Sequence, residues 1–185
     1  MIEKEPSRQG HPAVFVALLR GINVGGRSVP MAALRDLCES LGWTKVRTYI
    51  QSGNIIFEAQ GPASVHAAAL ETALSAHYSF PIPVMVRDAD QWRVLAADRP
   101  FGGWSDLKQL SLTLLDGPPA ADHWQTLSPW REGDEEIELI EDRVWVKTPG
   151  GYGVAKFNNT FLEKKLKTRA TTRNRATVEA LLAML

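Results

Sequence analysis

At 185 residues, the chain has the length of one domain or of two small, closely packed subdomains. Its 21 Lys plus Arg balance 21 Asp plus Glu, so net charge supplies no argument for a nucleic-acid or membrane partner, and 44% hydrophobic with 23% charged residues is the mix of a soluble globular protein. One cysteine, Cys38, excludes an internal disulfide and a thiolate metal cluster and fits a reducing compartment, so a cytoplasmic location is expected.

The first twelve residues, "MIEKEPSRQGHP", are polar with two prolines and lack the order of a signal peptide; a mobile N-terminal tail over 1–12 is expected. "AVFVALL" (13–19) is short, apolar and bounded by a glycine loop, which predicts a buried strand too short to span a membrane. After "RGINVGGRS", Pro30 suits the first turn of a helix, and Met31, Leu34, Leu37, Cys38 and Leu41 recur on one helical face until Gly42 stops it. "KVRTYIQ" and "NIIFEA" around Ser52-Gly53 predict a hairpin, or one strand bulged at Gly53. An alanine-rich helix over 62–78 and a strand over 82–87 complete a β-α-β-β-α-β order, the split βαβ arrangement of a ferredoxin-like sheet.

Residues 88–99 predict a helical connector, after which the order partly repeats: strand 109–115, short helix 119–127, strands 136–141 and 143–147, then helices over 159–167 and 172–185. The expected class is therefore α+β, with two similar ferredoxin-like (split βαβ) halves packed together, the second half ending in helices. The expected boundaries are a first α+β subdomain over 13–88 and a second over 89–185.

In a split βαβ unit, strands one and two run parallel with strand three antiparallel between them. The loop leaving strand one and the turn leaving strand two then share one rim of the sheet. That brings Arg20, Gly21, Asn23, Gly25, Gly26 and Arg27 beside Gln51, Ser52 and Asn54. The glycines let amide N–H groups converge on an anion, the following helix offers its positive end, and arginine supplies a planar fork for phosphate or carboxylate. The plainer alternative is a tight turn whose Asn and Gln side chains cap their own backbone. "GINVGGRS" also fits G-x-x-x-x-G-K-S with Arg27 in place of lysine. The missing lysine, Pro30 two residues after Ser28, and the element order all argue against a P-loop fold.

"LLRGINVGG", "VPMAALRDLCESLG", "VRTYIQSGNIIFE" and "TTRNRATVEALL" stand in fixed order between residues 13 and 183. Together these words resemble the domain-of-unknown-function (DUF) family 1697. The resemblance implies an α+β chain with two related halves, and it brings no established activity, substrate or cofactor. Arg173 and Asn174 fall on its last word; Arg175 departs from it, since an aromatic usually follows "TRN" there.

A second glycine-rich loop, "KTPGGYGVAKFNN" (147–159), mirrors "QSGN" in position and brings Lys156. The two loops face one cleft if the halves pair about a pseudo-twofold axis. Acidic residues crowd 132–142 and basic residues crowd 156–175, so the basic run either covers the acidic strand face or meets phosphates. The four histidines have no metal-ligand spacing, so no metal site is expected, and Cys38 on an apolar helix face reads as an inert thiol.

The sequence-based reading is a protein binding an anionic, phosphate-bearing small molecule such as a nucleotide. Its expected contacts are Arg20, Gly21, Asn23, Gly25, Gly26, Arg27, Gln51, Ser52, Asn54, Lys156, Arg173 and Asn174. No base is clearly supplied by the loops, so catalysis by a hydrolase or transferase in the same cleft ranks second, and catalytic residues and cofactor stay unassigned. Nucleic-acid or protein interaction through the basic C-terminal segment ranks below a small anion, and no membrane partner is expected.

Overall fold

The computed structural model describes residues 11–103, 106–127 and 134–185. The expected tail therefore lies outside the described residues except for His11 and Pro12, which are exposed.

The first sheet comprises β1 (Ala13–Leu19), β2 (Thr44–Tyr49), β3 (Asn54–Ala59) and β4 (Val84–Asp88), with α1 (Met31–Ser40) and α2 (Ala63–His77) in the crossovers. Its order is β2-β3-β1-β4, with every neighbouring pair antiparallel. Residues 44–59 form a hairpin, and the irregularity sits in β2 between Thr44 and Arg47 rather than at Gly53. After α3 (Ala89–Ala96) and a short turn α4 (Pro100–Gly103), the second sheet comprises β5 (Leu110–Leu115), β6 (Glu136–Ile140), β7 (Arg143–Lys147) and β8 (Ala170–Asn174). Helices α5 (Ala121–Leu127) and α6 (Asn159–Leu166) join its strands, and α7 (Arg175–Ala183) ends the chain's regular structure. The order β6-β7-β5-β8 is that of the first sheet. The fold is α+β, two four-stranded antiparallel sheets with helices.

One element differs from expectation. The predicted helix over 172–185 begins only at Arg175, because Ala170 to Asn174 pair with β5. Thr171 and Thr172 are β-branched and suit a pleated, half-buried surface. Asn174 then ends the strand and caps the helix, its side chain accepting from the Thr177 amide at 2.8 Å. Each sheet thus finishes with a fourth strand leading straight into a helix, β4 into α3 and β8 into α7. Asp88 starts α3 with a reciprocal capping box to Gln91.

Side-chain alternation along β1 explains the packing. Phe15, Ala17 and Leu19 face Leu34 and Cys38 of α1 and Leu70 and Leu74 of α2. Val16 and Leu18 face the opposite way, into a central core with Trp92 and Leu95 of α3, Leu112, Leu114 and Trp145 of the second sheet, and Val178 and Leu181 of α7. A strand covered on both faces must be apolar throughout, hence the unbroken run "AVFVALL". A third core lies under α5 and α6, where Val144 and Val146 meet Leu127, Leu162 and Leu166.

Arginines join the two sheets. Arg87 reaches the Leu115 carbonyl at 2.9 Å and Asp142 at 2.6 Å, Arg169 reaches Glu71 at 2.8 Å, and Arg47 reaches the Met184 carbonyl at 2.7 Å. Arg143, buried, is held by Asp98 at 2.7 and 3.0 Å, and the same carboxylate accepts from Trp145 Nε1 at 2.8 Å. The Arg87, Arg169 and Arg47 contacts tie the first sheet and its helices to the second half of the chain.

Candidate functional site

The loop after β1 and the β2–β3 turn do share one rim. Asn23 Nδ2 donates to the Gln51 carbonyl at 2.7 Å and to the Val29 carbonyl at 3.1 Å, while its Oδ1 accepts from the Val29 amide at 2.8 Å. Asn23 has φ +55°, a left-handed conformation that asparagine tolerates. Its side chain is therefore spent locking the loop, the plainer of the two readings of this stretch. Ser28 precedes the first residue of α1 by three positions, so the loop does not run straight into a helix as a P-loop does. Arg27 is exposed and lies over the Phe80 ring, 5.5 Å from its centroid. The amides of Gly21, Gly25 and Gly26 have no acceptor among the described residues.

Arg173 and Asn54, expected as ligand donors, face inward instead. Arg173 NH2 donates to the carbonyls of Leu19 and Ser52 at 2.8 Å each, NH1 donates to the Thr172 carbonyl at 2.7 Å, and Nε donates to Asn54 Oδ1. Asn54 Nδ2 in turn donates to the Tyr49 carbonyl and to Ser52 Oγ, both at 2.9 Å. Arg173 is only 8% exposed. Burial pushes its pKa down to about 10, so it stays charged at neutral pH. Its guanidinium pins the second sheet to the first-sheet rim and has no donor left for an outside molecule. Asn174 is occupied as the cap of α7. Arg175, the departure from the family's usual aromatic, is buried with its guanidinium 5.1 Å from the Trp145 ring centroid, donating to the Ala96 carbonyl at 2.7 Å. A planar cation stacked on indole thus packs in the interior.

Arg20 and Lys156 come together elsewhere. They line an open cleft of about 720 Å³ with Tyr152, Ala155, Asn158, Asn159, Thr160, Phe161 and Lys164. The first loop's opening arginine and the second glycine-rich loop therefore do face one cleft. Arg20 NH2 pairs with Glu163 Oε2 at 2.6 Å, and Glu163 Oε1 accepts from the Ala170 amide at 2.9 Å. Arg20 Nε is buried and unpartnered. Tyr152 OH donates to Thr172 Oγ1 at 3.0 Å, and Thr172 Oγ1 lies 2.6 Å from Asn159 Oδ1. Burial pushes the Tyr152 phenol up, while its bond to Thr172 and the charges of Arg20 and Arg173 act in the opposite direction. Asn158 caps α6, accepting from the Phe161 amide at 3.1 Å, so the positive end of that helix opens on the cleft.

Sequence reasoning missed Tyr152, Asn158, Asn159 and Lys164. Their signal is the second glycine loop followed by an N-cap asparagine and a basic helix, a pattern whose composition is legible but whose individual contacts are not. The acidic stretch is largely used internally: Glu135 accepts from the Lys156 amide at 3.0 Å, Lys147 pairs with Glu136 at 2.6 Å, and Glu138 accepts from the Phe101 amide at 2.7 Å. Glu132 lies outside the described residues. Among the described residues, no three His, Cys, Asp or Glu side chains group as metal ligands, and no helix is long and apolar enough to cross a membrane.

The sequence profile described as "Protein of unknown function (DUF1697)" matches residues 13–145, most of the chain. The chain belongs to the DUF1697 family. A search of curated proteins gives no match. Among solved structures, this DUF1697 chain is similar to the conserved bacterial protein SP0830 from Streptococcus pneumoniae, with 26% sequence identity over 94% of this chain and 98% of that one and a TM-score of 0.76. The two-sheet architecture is thus common to both. The matched residues end within β7, ahead of Tyr152, Lys156 and α6.

Proposed function

We propose that this DUF1697 chain binds a phosphate-bearing small molecule in the cleft between Arg20 and the loop leading into α6. The observation that carries the reading is the composition of the wall. Arg20, Lys156 and Lys164 line one cleft whose described lining residues include no carboxylate. Glu163 pairs with Arg20, and a wall that still carries an excess of one sign of charge concentrates ligands of the opposite sign. The start of α6, with its dipole and amide N–H groups, acts in the same sense. The volume of about 720 Å³ suits a nucleotide-sized molecule. Binding is favoured over catalysis because neither histidine nor carboxylate lines the cleft among the described residues, and the Tyr152 phenol is held protonated by burial.

A thermal-shift panel of nucleotides, phosphosugars and polyanions tests this. A phosphate compound at a hundred times its Kd adds about 2.7 kcal/mol by linkage, a rise of several degrees in the midpoint. The double variant Lys156→Gln/Lys164→Gln loses that rise. A full rise in the double variant removes the cleft as the site.

A further inference from the structure

We infer that the cleft selects dianionic phosphate monoesters over monoanions of the same size; this rests on the binding reading above and adds the ligand's charge state. The protein leaves positive charge unmatched around this one cavity. Arg20 is already matched, since Glu163 holds it at 2.6 Å. Arg173 is not. Every acceptor in its shell is neutral: the carbonyls of Leu19, Ser52, Gly53 and Thr172, the Asn54 amide oxygen and the Thr171 hydroxyl. Among the described residues, no carboxylate hydrogen-bonds or ion-pairs with it.

Arg173 also stands directly behind the cleft wall. Tyr152 lines the cleft, its hydroxyl donates to Thr172 Oγ1 at 3.0 Å, and the Thr172 carbonyl accepts from Arg173 NH1 at 2.7 Å. Tyr152 and Thr172 stand between the cavity and the guanidinium, which is itself buried. Salt and water screen such a charge far less than one on the surface. Lys164, next to Glu163 in sequence, lines the cleft in the open and makes no ion pair among the described residues. Two positive charges, one behind the wall and one on it, are therefore left for the ligand. A phosphate monoester carries about −1.5 to −2 near neutral pH, whereas a diester or a sulfate ester carries a single charge.

Methyl phosphate, methyl sulfate and dimethyl phosphate separate charge from shape. The first two share three terminal oxygens and differ in charge; the last is a monoanion with two. Titration of the full chain at pH 8, followed by broadening of each ligand's methyl proton signal, gives three dissociation constants. Methyl phosphate is expected to bind at least about tenfold tighter than either monoanion, because an added unit charge at contact distance is worth more than a tenfold factor even at a surface-like dielectric. Lys164→Gln is expected to reduce that preference at least threefold, while Lys45→Gln on the far strand β2 leaves it unchanged. Equal affinity for methyl phosphate and methyl sulfate overturns the selection for a dianion and leaves anion binding standing. No saturable binding of any of the three overturns both.

Discussion

Replacing Gly53 by alanine tests whether the first-sheet rim is packed as closely as the structure shows. Gly53 sits at φ +74°, and a Cβ there would lie 2.7 Å from Leu19 Cβ and 2.8 Å from Ile22 Cδ1. Leu19 and Ile22 are themselves buried, so neither can swing into solvent. Two costs add. Left-handed backbone costs an L-residue roughly 1–2 kcal/mol, and forcing a methyl group into a filled core costs about 1–3 kcal/mol more. Gly26→Ala is the matched control: it has φ +82° but nothing within 4 Å of its Cβ position. The lower unfolded-chain entropy of alanine is common to both variants and cancels. Urea unfolding should place Gly53→Ala about 2–5 kcal/mol below the parent and Gly26→Ala only about 1–2 kcal/mol below, a gap of about 1–3 kcal/mol at unchanged m-value. At roughly 2–4 °C per kcal/mol for a chain of this length, the gap also shows in thermal midpoints. Equal losses in the two variants would refute the close approach of Gly53 to Leu19 and Ile22.

Buried groups supply three more tests. Arg173→Met removes the donor from the Leu19 and Ser52 carbonyls and the Asn54 amide oxygen, each worth about 1–3 kcal/mol when left dry. Part of that is offset because a charge is no longer buried, so a net loss of at least about 2 kcal/mol is expected by chemical denaturation, and an unchanged midpoint would show that Arg173 is no pin. His66, packed edge-on against Trp43 and Phe57 with Nε2 unpartnered, has its pKa lowered by burial, so the folded state takes up a proton less readily than the unfolded chain. Stability it confers above pH 6.5 is lost as the pH falls below that value, and His66→Phe should flatten the stability profile on the acid side of pH 6.5 relative to the parent. Cys38 is buried with its pKa raised from 9.0 to about 12, chiefly by desolvation, so the folded protein should resist iodoacetamide at pH 8 and react only at the rate of unfolding. The linkage sign is opposite to that of His66: the unfolded thiol ionises first, so this group's stabilisation declines as the pH rises from 9 towards 12.

Local pattern determined the elements. The two-sided apolar run of β1, the helical face of Leu34 and Cys38, and the hairpin around Ser52-Gly53 were legible because periodicity and turn chemistry act over a few neighbours. Element order then gave the strand order of the first sheet, and with it the rim shared by the 20–27 loop and the 51–54 turn, since a split βαβ connection leaves few other arrangements. Strand β8 was not legible. No glycine or proline separates residues 172–174 from the helical face of Val178, Leu181 and Leu182, and nothing local says that Thr171 and Thr172 find a partner strand about sixty residues earlier.

Only tertiary structure decided which polar side chains face outward. An arginine or asparagine has the same donors whether it meets a ligand or a carbonyl. Arg20 and Arg173 look alike in sequence, yet Arg173 is drawn inward because the rim carbonyls of Leu19 and Ser52 come within its reach when the two sheets pack. Arg20 is held at the cleft because Glu163, 143 positions away, lies beside it. Burial of unsatisfied carbonyls costs more than leaving a surface arginine in water, so the packing of the sheets, rather than residue type, assigns each cation its role.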